Sequence, residues 1–151
     1  PAELALLPTG RKALLGNGEL LDTTTGALRP RALGGALTGL AVGRTGSAVA
    51  ATSAAGIVEA PLPAGTPLRT LVPGAAEPAF SRDESRLAYV RREGGTSELW
   101  IARRDASEAR RVARAEATFW AWPAFSADGE SLFFYDVERG GPNAVLGERG
   151  A

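Results

Sequence analysis

The sequence predicts an all-β fold, and three observations support this class. Short apolar runs alternate along the chain with turns that carry Gly or Asp, which is typical of antiparallel strands joined by hairpins. This arrangement recurs at intervals of about 40 residues, the length of a small β-sheet unit. No window longer than about ten residues keeps apolar residues at helical spacing without a Gly or Pro. The nearest candidate helix, residues 106–117, is rich in charged residues, and we predict a strand between loops there.

Four segments carry the repeat, each with a short apolar approach, a polar turn and the start of a second strand. They are residues 7–14, 42–49, 80–87 and 125–132. Thr-Gly and Asp-Gly turns between apolar runs favour hairpins, because Gly adopts positive φ without steric cost and Asp bonds to its own backbone. Each first strand is therefore expected to turn directly into an antiparallel second strand.

Each repeat contains enough strand signals for a sheet of its own. The predicted second strands cover residues 12–15, 48–52, 86–90 and 131–135. The predicted third strands cover residues 19–22, 56–60, 98–102 and 143–146. A fourth strand is predicted in three repeats, at residues 28–33, 68–72 and 110–113. Four short antiparallel strands in about 40 residues form a propeller blade. The sequence therefore predicts one β-propeller domain, residues 1–151, with repeats at about 1–36, 37–75, 76–116 and 117–151.

The third and fourth repeats carry a more specific pattern. Residues 78–83 read Pro-Ala-Phe-Ser-Arg-Asp, residues 123–129 read Pro-Ala-Phe-Ser-Ala-Asp-Gly, and residues 98–100 read Glu-Leu-Trp. This pattern resembles the TolB-like β-propeller repeat, best over residues 76–135. Arg82 and Ala127 depart from the family at positions where proline is frequent. The resemblance implies a periplasmic or secreted protein of the bacterial cell envelope, and it leaves a cytoplasmic location open.

The fourth repeat supplies three predicted strands, so the chain amounts to about three and a half to four blades. Propellers usually close with about four to eight blades, and an open ring leaves strand edges available for pairing. We therefore expect part of a larger propeller, or one that is completed by another chain. A protein partner or an additional propeller chain follows from this expectation.

The composition excludes several kinds of chemistry. The chain has 17 basic and 17 acidic residues, no His and no Cys, so nucleophile–imidazole pairs and thiolate or imidazole metal sites are excluded. A net charge of zero gives no overall field that would attract nucleic acid, and no apolar run is long enough for a transmembrane helix. We expect no catalytic residue, no cofactor and no metal site, and hence a protein that is not an enzyme.

Two charged groups are interpreted as surface features. Arginines at 103, 104, 110, 111 and 114 are diluted by carboxylates and are expected on a solvated sheet edge. Asp136, Glu138 and Asn143 carry oxygen ligands that suit calcium, but their spacing matches no calcium loop, and a Gly-rich hairpin turn is preferred. Asp83 and Asp128 occupy equivalent turns, where they are expected to accept bonds from backbone amides.

The aromatic residues indicate where a partner would bind. The three Trp, two Tyr and five Phe all lie between Phe80 and Tyr135. Phe119, Trp120 and Trp122 precede the fourth repeat, on a link between blades where a partner surface is expected, because such residues are enriched in binding hot spots. In the alternative, Trp120 and Trp122 point into the interface between neighbouring blades. The aromatic residues inside strand patterns are expected in the core: Phe80, Tyr89, Trp100, Phe125 and Phe133.

The expected function is a non-catalytic propeller module for protein–protein binding or scaffolding. It rests mainly on the family resemblance, because a fold does not by itself define a function. One alternative is the propeller portion of a prolyl-oligopeptidase-like hydrolase or a propeller lyase, with the catalytic residues outside this chain. Another is a subunit of a multi-chain assembly whose open edges pair with its neighbours by strand addition.

Overall fold

The computed structural model describes residues 4–29, 36–46, 48–61 and 68–146. Every regular element in these ranges is a β-strand, and the strands form four antiparallel sheets. The prediction of an all-β chain built from blade-like sheets is confirmed. The chain divides into two compact units, Pro1–Gly74 and Ala75–Ala151, each of which contains two sheets.

The first unit contains two four-stranded sheets, and in each sheet the strands lie side by side in chain order. The strands of the first sheet are β1 (Leu4–Leu6), β2 (Lys12–Leu15), β3 (Leu20–Asp22) and β4 (Leu28–Arg29). Those of the second sheet are β5 (Thr38–Val42), β6 (Ala48–Ser53), β7 (Gly56–Pro61) and β8 (Arg69–Pro73). The core between the sheets contains Leu14 from β2 and Val49, Ala51 and Val58 from the second sheet.

The second unit contains a four-stranded sheet and a three-stranded sheet. The strands of the larger sheet are β9 (Ala75–Phe80), β10 (Arg86–Glu93), β11 (Thr96–Arg103) and β12 (Arg110–Glu116). Those of the smaller sheet are β13 (Trp120–Phe125), β14 (Ser131–Asp136) and β15 (Gly141–Leu146). One apolar cluster joins the sheets, and its buried members are Ala88, Val90, Leu99, Ile101, Trp120, Leu132 and Phe134.

The predicted strands overlap the observed ones, and the differences lie at strand ends. The second strand of the third repeat continues to Glu93, three residues beyond its predicted end. The strand predicted within residues 106–117 is β12. The fourth strand of the first repeat covers Leu28–Arg29, and the rest of its predicted range, residues 30–33, lies outside the described residues.

The turns between first and second strands fix how the repeats align. In each turn, one residue with positive φ donates its N–H to the carbonyl three positions earlier; these residues are Gly10, Gly46, Glu84 and Gly129. The last residues before the turns are therefore equivalent, namely Leu6, Val42, Phe80 and Phe125. The predicted alignment of Leu7 with Val42 is wrong by one residue. This correction matters because a one-residue slip moves every side chain of a strand to the opposite face.

One of the aromatic residues that were expected in the core lies outside it. Tyr89 is buried, and Phe80, Trp100 and Phe125 are half-buried. The prediction that Phe133 belongs to the core is wrong, because its side chain is 47% exposed on a face of β14 that is open to solvent.

The two Ser-x-Asp turns act as predicted. Asp83 accepts bonds from the Ser81 hydroxyl at 2.6 Å and the Ser85 backbone N–H at 3.1 Å. Asp128 accepts equivalent bonds from the Ser126 hydroxyl at 2.6 Å and the Glu130 backbone N–H at 3.0 Å. Bonds donated to a carboxylate favour its ionised form. The hydroxyl of Ser81 is the largest of the contributions that lower the pKa of Asp83 to about 2.

We predict that Ser81→Ala raises the pKa of Asp83 towards its ordinary value, because the substitution removes the strongest bond to the carboxylate. The lowered pKa stabilises the fold above the unfolded-state value of about 4, and this stabilisation is lost as the pH falls towards about 2. The variant therefore loses part of that acid dependence, which carboxyl-carbon NMR titration and acid unfolding measure. Ser126→Ala is the matched control and leaves the pKa of Asp83 unchanged. An unaltered Asp83 pKa in Ser81→Ala would contradict the prediction.

We predict that Gly56→Ala destabilises the protein far more than Gly94→Ala. Gly56 has φ +118°, and a Cβ there would lie 2.3 Å from the Val72 carbonyl oxygen. Gly94 also has positive φ, but a Cβ there would meet nothing within 4 Å. The expected losses of unfolding free energy are about 3 kcal/mol or more at Gly56 and about 1 kcal/mol at Gly94. Urea unfolding of both variants measures the difference, and equal losses would show the contact to be unimportant.

Candidate functional site

The predicted aromatic run lies at the start of β13, where the structure separates its three residues. Phe119 and Trp122 are 44% and 61% exposed, whereas Trp120 is 6% exposed. The Trp120 ring packs in the core between the two sheets, with its centre 4.7 Å from that of Phe134. Trp120 therefore follows the alternative expectation, a position between neighbouring sheets. Phe119 and Trp122 are the members that offer surface to a partner.

A buried carboxylate fixes the Trp120 ring. Asp136 at the end of β14 is buried, and it accepts bonds from Trp120 Nε1 at 3.1 Å and from the Thr118 hydroxyl at 2.7 Å. Its pKa is lowered, most strongly by the bond from Thr118. Buried polar groups need hydrogen-bond partners, and these two bonds supply them for Asp136. The carboxylate therefore holds Thr118 and Trp120, the two ends of the link between the sheets, residues 118–120.

The metal alternative at the β14–β15 turn receives no support from geometry. The carboxylate of Asp136 is directed to Thr118 and Trp120, and the side chain of Asn143 lies outside the described residues. Across residues 4–29, 36–46, 48–61 and 68–146, no group of three or more His, Cys, Asp or Glu is placed to hold a metal ion.

Two more side chains hold the backbone of this link. The hydroxyl of Ser97 donates to the Thr118 carbonyl at 2.9 Å and accepts the Trp120 N–H at 3.2 Å. Arg92 Nε donates to the Trp120 carbonyl at 3.0 Å, and Arg92 Nη2 donates to the same oxygen. Residues 118–120 are thus bonded to strands β10, β11 and β14, so the link has a defined conformation before any partner binds.

Arg92 also supports the exposed Phe119 ring. The guanidinium carbon lies 3.9 Å from the centre of that ring, and Nη2 lies 3.8 Å from a carboxylate oxygen of Glu77. Burial lowers the pKa of Arg92, and the nearby charge of Glu77 opposes this effect. A cation over an aromatic face attracts the ring more strongly where water is excluded. Phe119 is therefore held on Arg92 while it remains accessible.

Trp122 occupies a strained backbone position. Its φ is +51°, and the equivalent residues of the second and third sheets, Gly39 and Glu77, have φ +54° and +55°. At all three positions the pairing of the first strand with the second is interrupted by a bulge. The left-handed conformation costs a non-glycine residue about 1–2 kcal/mol, and such strain commonly marks functional sites.

The exposed side of β14 continues the aromatic surface. The Trp122 ring lies 5.5 Å from that of half-buried Tyr135, and Phe133 lies on the same side of β14 as Tyr135, two residues away. We call the surface formed by Trp122, Phe133 and Tyr135 the Phe133 face. Contiguous exposed apolar side chains of this kind mark interaction sites.

The arginine cluster forms a charge-balanced edge. Arg103 pairs with Glu108 at 2.8 Å, and Arg111 pairs with Glu98 at 2.7 Å. These pairs lie on the edge strand β12, the neighbouring β11 and the loop that joins them, in the exposed setting that was expected.

In the described part of the chain, no helix is long and apolar enough to cross a membrane.

Sequence reasoning missed Arg92 and Ser97, and it assigned Asp136 to a surface turn, whereas that carboxylate is buried and holds the link. A weak signal was present for Asp136, which is a charged residue in a strand that is otherwise largely apolar. Their partners in the link, Thr118 and Trp120, are at least 16 residues away along the chain, and no local pattern specifies such pairs.

Comparison with solved structures defines the fold. TolB from Acinetobacter baumannii aligns with a TM-score of 0.73 and 17% identity over 99% of this chain and 39% of that chain. A putative TolB from Agrobacterium tumefaciens aligns with a TM-score of 0.79 and 16% identity over 95% of this chain and 56% of that chain. The tricorn protease aligns with a TM-score of 0.60 and 16% identity over 89% of this chain and 14% of that chain.

These likenesses show that the chain has a TolB-like β-propeller fold, as the sequence predicted. No protein-family model and no curated protein sequence matches the chain. The chain spans 39% and 56% of the two TolB structures, less than two thirds of either.

We predict a large loss of stability from substitution of Trp120 and little change from substitution of Trp122. Trp120→Ala removes a buried ring and leaves the Asp136 carboxylate without one of its donors, and it is expected to cost about 3–5 kcal/mol. Trp122→Gly relieves positive φ at an exposed position, and its effect should stay within about 1 kcal/mol of zero. Thermal and urea unfolding of both variants measure these values. A large loss in Trp122→Gly would show that the exposed ring contributes to the fold.

Proposed function

We propose that the chain is a non-catalytic module, part of a single propeller domain, that binds another protein through Phe119 and Trp122. The observation that carries the proposal is that both rings are exposed although each is held, Phe119 on a link that is bonded to three strands and Trp122 against Tyr135. A surface that is ordered before binding loses less conformational entropy on association. Large aromatic side chains held in this way are typical of binding hot spots.

The charges of the surface support a protein partner over a nucleic acid. The chain has no net charge, and arginines of the β12 edge are paired with carboxylates. Recognition of nucleic acid requires an unbalanced basic surface that follows the phosphates. Arg92, which lies beneath Phe119, is half-buried and bonded to the Trp120 carbonyl.

We further propose a location in the bacterial cell envelope, in the periplasm or outside the cell. This part of the proposal rests on the TolB-like repeat pattern at residues 76–135 and on the TolB-like fold. Detection of the native protein in periplasmic or secreted fractions tests it, and recovery from the cytoplasmic fraction alone would contradict it.

The second candidate is the propeller portion of a prolyl-oligopeptidase-like hydrolase or a propeller lyase. The likeness to the tricorn protease favours the hydrolase, because it shows the same sheets within a much longer enzyme chain. The complete coding sequence discriminates between the candidates. A downstream Gly-x-Ser-x-Gly with an Asp and a His would favour the hydrolase, and further propeller repeats alone would favour the binding module.

We predict that Phe119→Ala and Trp122→Gly each weaken binding of the envelope partner about tenfold or more, because each removes an exposed aromatic anchor. Crosslinking in envelope extracts identifies the partner, and titration with the purified partner measures the affinity. Leu28→Ala, which removes an exposed apolar side chain of the first unit, is the matched control and binds normally. Unchanged affinity in folded Phe119→Ala and Trp122→Gly would refute the proposed surface.

A further inference from the structure

The equivalent positions Arg91 and Asp136 have different cross-strand neighbours. In the smaller sheet of the second unit, Asp136 is paired with Trp120 of β13, and the indole Nε1 donates to its carboxylate. In the larger sheet, Arg91 is paired in the same register with Ala75 of β9, whose methyl side chain offers no hydrogen-bonding atom. Arg91 therefore lacks the kind of partner that Asp136 receives.

The side chain of Arg91 contains an unsatisfied polar atom. Its Nε is buried, and no described residue provides a hydrogen-bond partner for it. The residue opposite Arg91 on β11 is Glu98, but that carboxylate accepts bonds from Trp100 Nε1 at 2.9 Å and Arg111 Nη1 at 2.7 Å. A buried donor without a partner is costly. An acceptor that reaches this nitrogen would therefore gain a charge-assisted bond.

Two aromatic rings hold the guanidinium of Arg91. Its carbon lies 5.1 Å from the centre of the Trp100 ring and 5.9 Å from that of the Tyr89 ring. The two rings are stacked with their centres 6.4 Å apart, and Tyr89 is buried. A cation is attracted to aromatic faces, so the guanidinium has a defined position and loses less conformational entropy when a ligand binds.

A cavity of about 370 Å³ lies beside Arg91, and all of its lining residues belong to the second unit. Its volume is in the range of small-molecule sites. Arg114 supplies a second guanidinium, which lies 3.9 Å from Glu98 and 3.5 Å from Glu116 in exposed pairs that contribute little. Thr96 adds a hydroxyl group. The lining residues are Arg91, Glu93, Gly94, Thr96, Glu98 and Arg114.

The charges around the cavity favour an anionic group. The carboxylate of Glu98 is ionised, because bonds from Trp100 and Arg111 lower its pKa, and Arg111 balances its charge. Glu93 is an exposed carboxylate that opposes an anion, but solvent screens an exposed charge. The charge of the half-buried Arg91 is screened less and therefore determines which ligand group binds beside it.

We propose that this cavity binds a small molecule through an oxyanion group, a phosphate or a carboxylate, that accepts hydrogen bonds from Arg91 and has Arg114 as a second cation. The planar fork of a guanidinium matches the oxygens of both groups. The site is separate from the surface of Phe119 and Trp122. Phe119 lies on Arg92, whose side chain is on the opposite side of β10 from that of Arg91. The inference therefore goes beyond the proposed binding of a protein.

Titration of the purified protein with inorganic phosphate and, separately, with succinate tests the proposal and distinguishes the two oxyanions. Calorimetry is expected to show saturable binding of at least one of them. Arg91→Gln should weaken this binding about tenfold or more, because it removes both the charge and the fork. Glu93→Gln should strengthen it, because it removes the opposing carboxylate. Arg110→Gln, which removes an exposed arginine at the start of β12, is the matched control and keeps the wild-type affinity.

The outcomes decide the inference independently of the proposed function. Absence of saturable binding for both ions overturns it, and so does an equal loss in Arg110→Gln and Arg91→Gln, which would reflect net charge alone. Unchanged affinity in Glu93→Gln would contradict the position of the ligand. Arg91→Lys keeps the charge without the fork, and it must also bind more weakly; it replaces Arg91→Gln if circular dichroism shows that variant unfolded. Phe119→Ala should leave phosphate and succinate binding unchanged, so failure of the protein-binding surface does not affect this test.

Discussion

A sheet that carries apolar residues on both of its sides must be covered on both sides, and the rest of the structure depends on this constraint. In the larger sheet of the second unit, Val90 and Leu99 are buried on one side, and Tyr89 is buried on the other. One such sheet cannot bury its own apolar surface, so stability comes from stacking repeats against one another. The period in the sequence and the two core clusters follow from this requirement.

Stacking also determines what the links between sheets must do. A link that passes over a sheet brings backbone polar groups close to an apolar core, where an unpaired group is costly. Ser97 and Arg92 satisfy those groups at residues 118–120, and Asp136 fixes the Trp120 ring below them. The same bonds that close the core thus give Phe119 a defined position. The position of the proposed binding surface is therefore a consequence of how the two sheets are joined.

Local chemistry was sufficient to predict the strands and turns, because hairpin turns and alternating apolar residues act within a few positions of each other. The Ser81–Asp83 turn and β12 are examples. Alternation shows which residues share a side of a strand, but it does not show whether that side is covered. For this reason the sequence left Trp120 open between a partner surface and the interface of neighbouring sheets, and it placed the exposed Phe133 in the core. The roles of Arg92 and Asp136 depend on partners far away in sequence, and no spacing rule specifies them.

The equivalent positions Gly39, Glu77 and Trp122 all adopt positive φ, but they differ in how far the side chain offsets the backbone cost. The bulge requires positive φ, and Gly39 meets that requirement without strain. Glu77 has the same strained backbone, but its carboxylate lies near Arg92. Its side chain therefore helps to hold the guanidinium that bonds to the Trp120 carbonyl. Trp122 carries the same strain with a ring that is 61% exposed and contacts Tyr135, so little burial offsets the backbone cost. A bulky aromatic residue at a position suited to glycine adds little to the stability of the described sheets, and this supports the proposal that Trp122 contacts a partner.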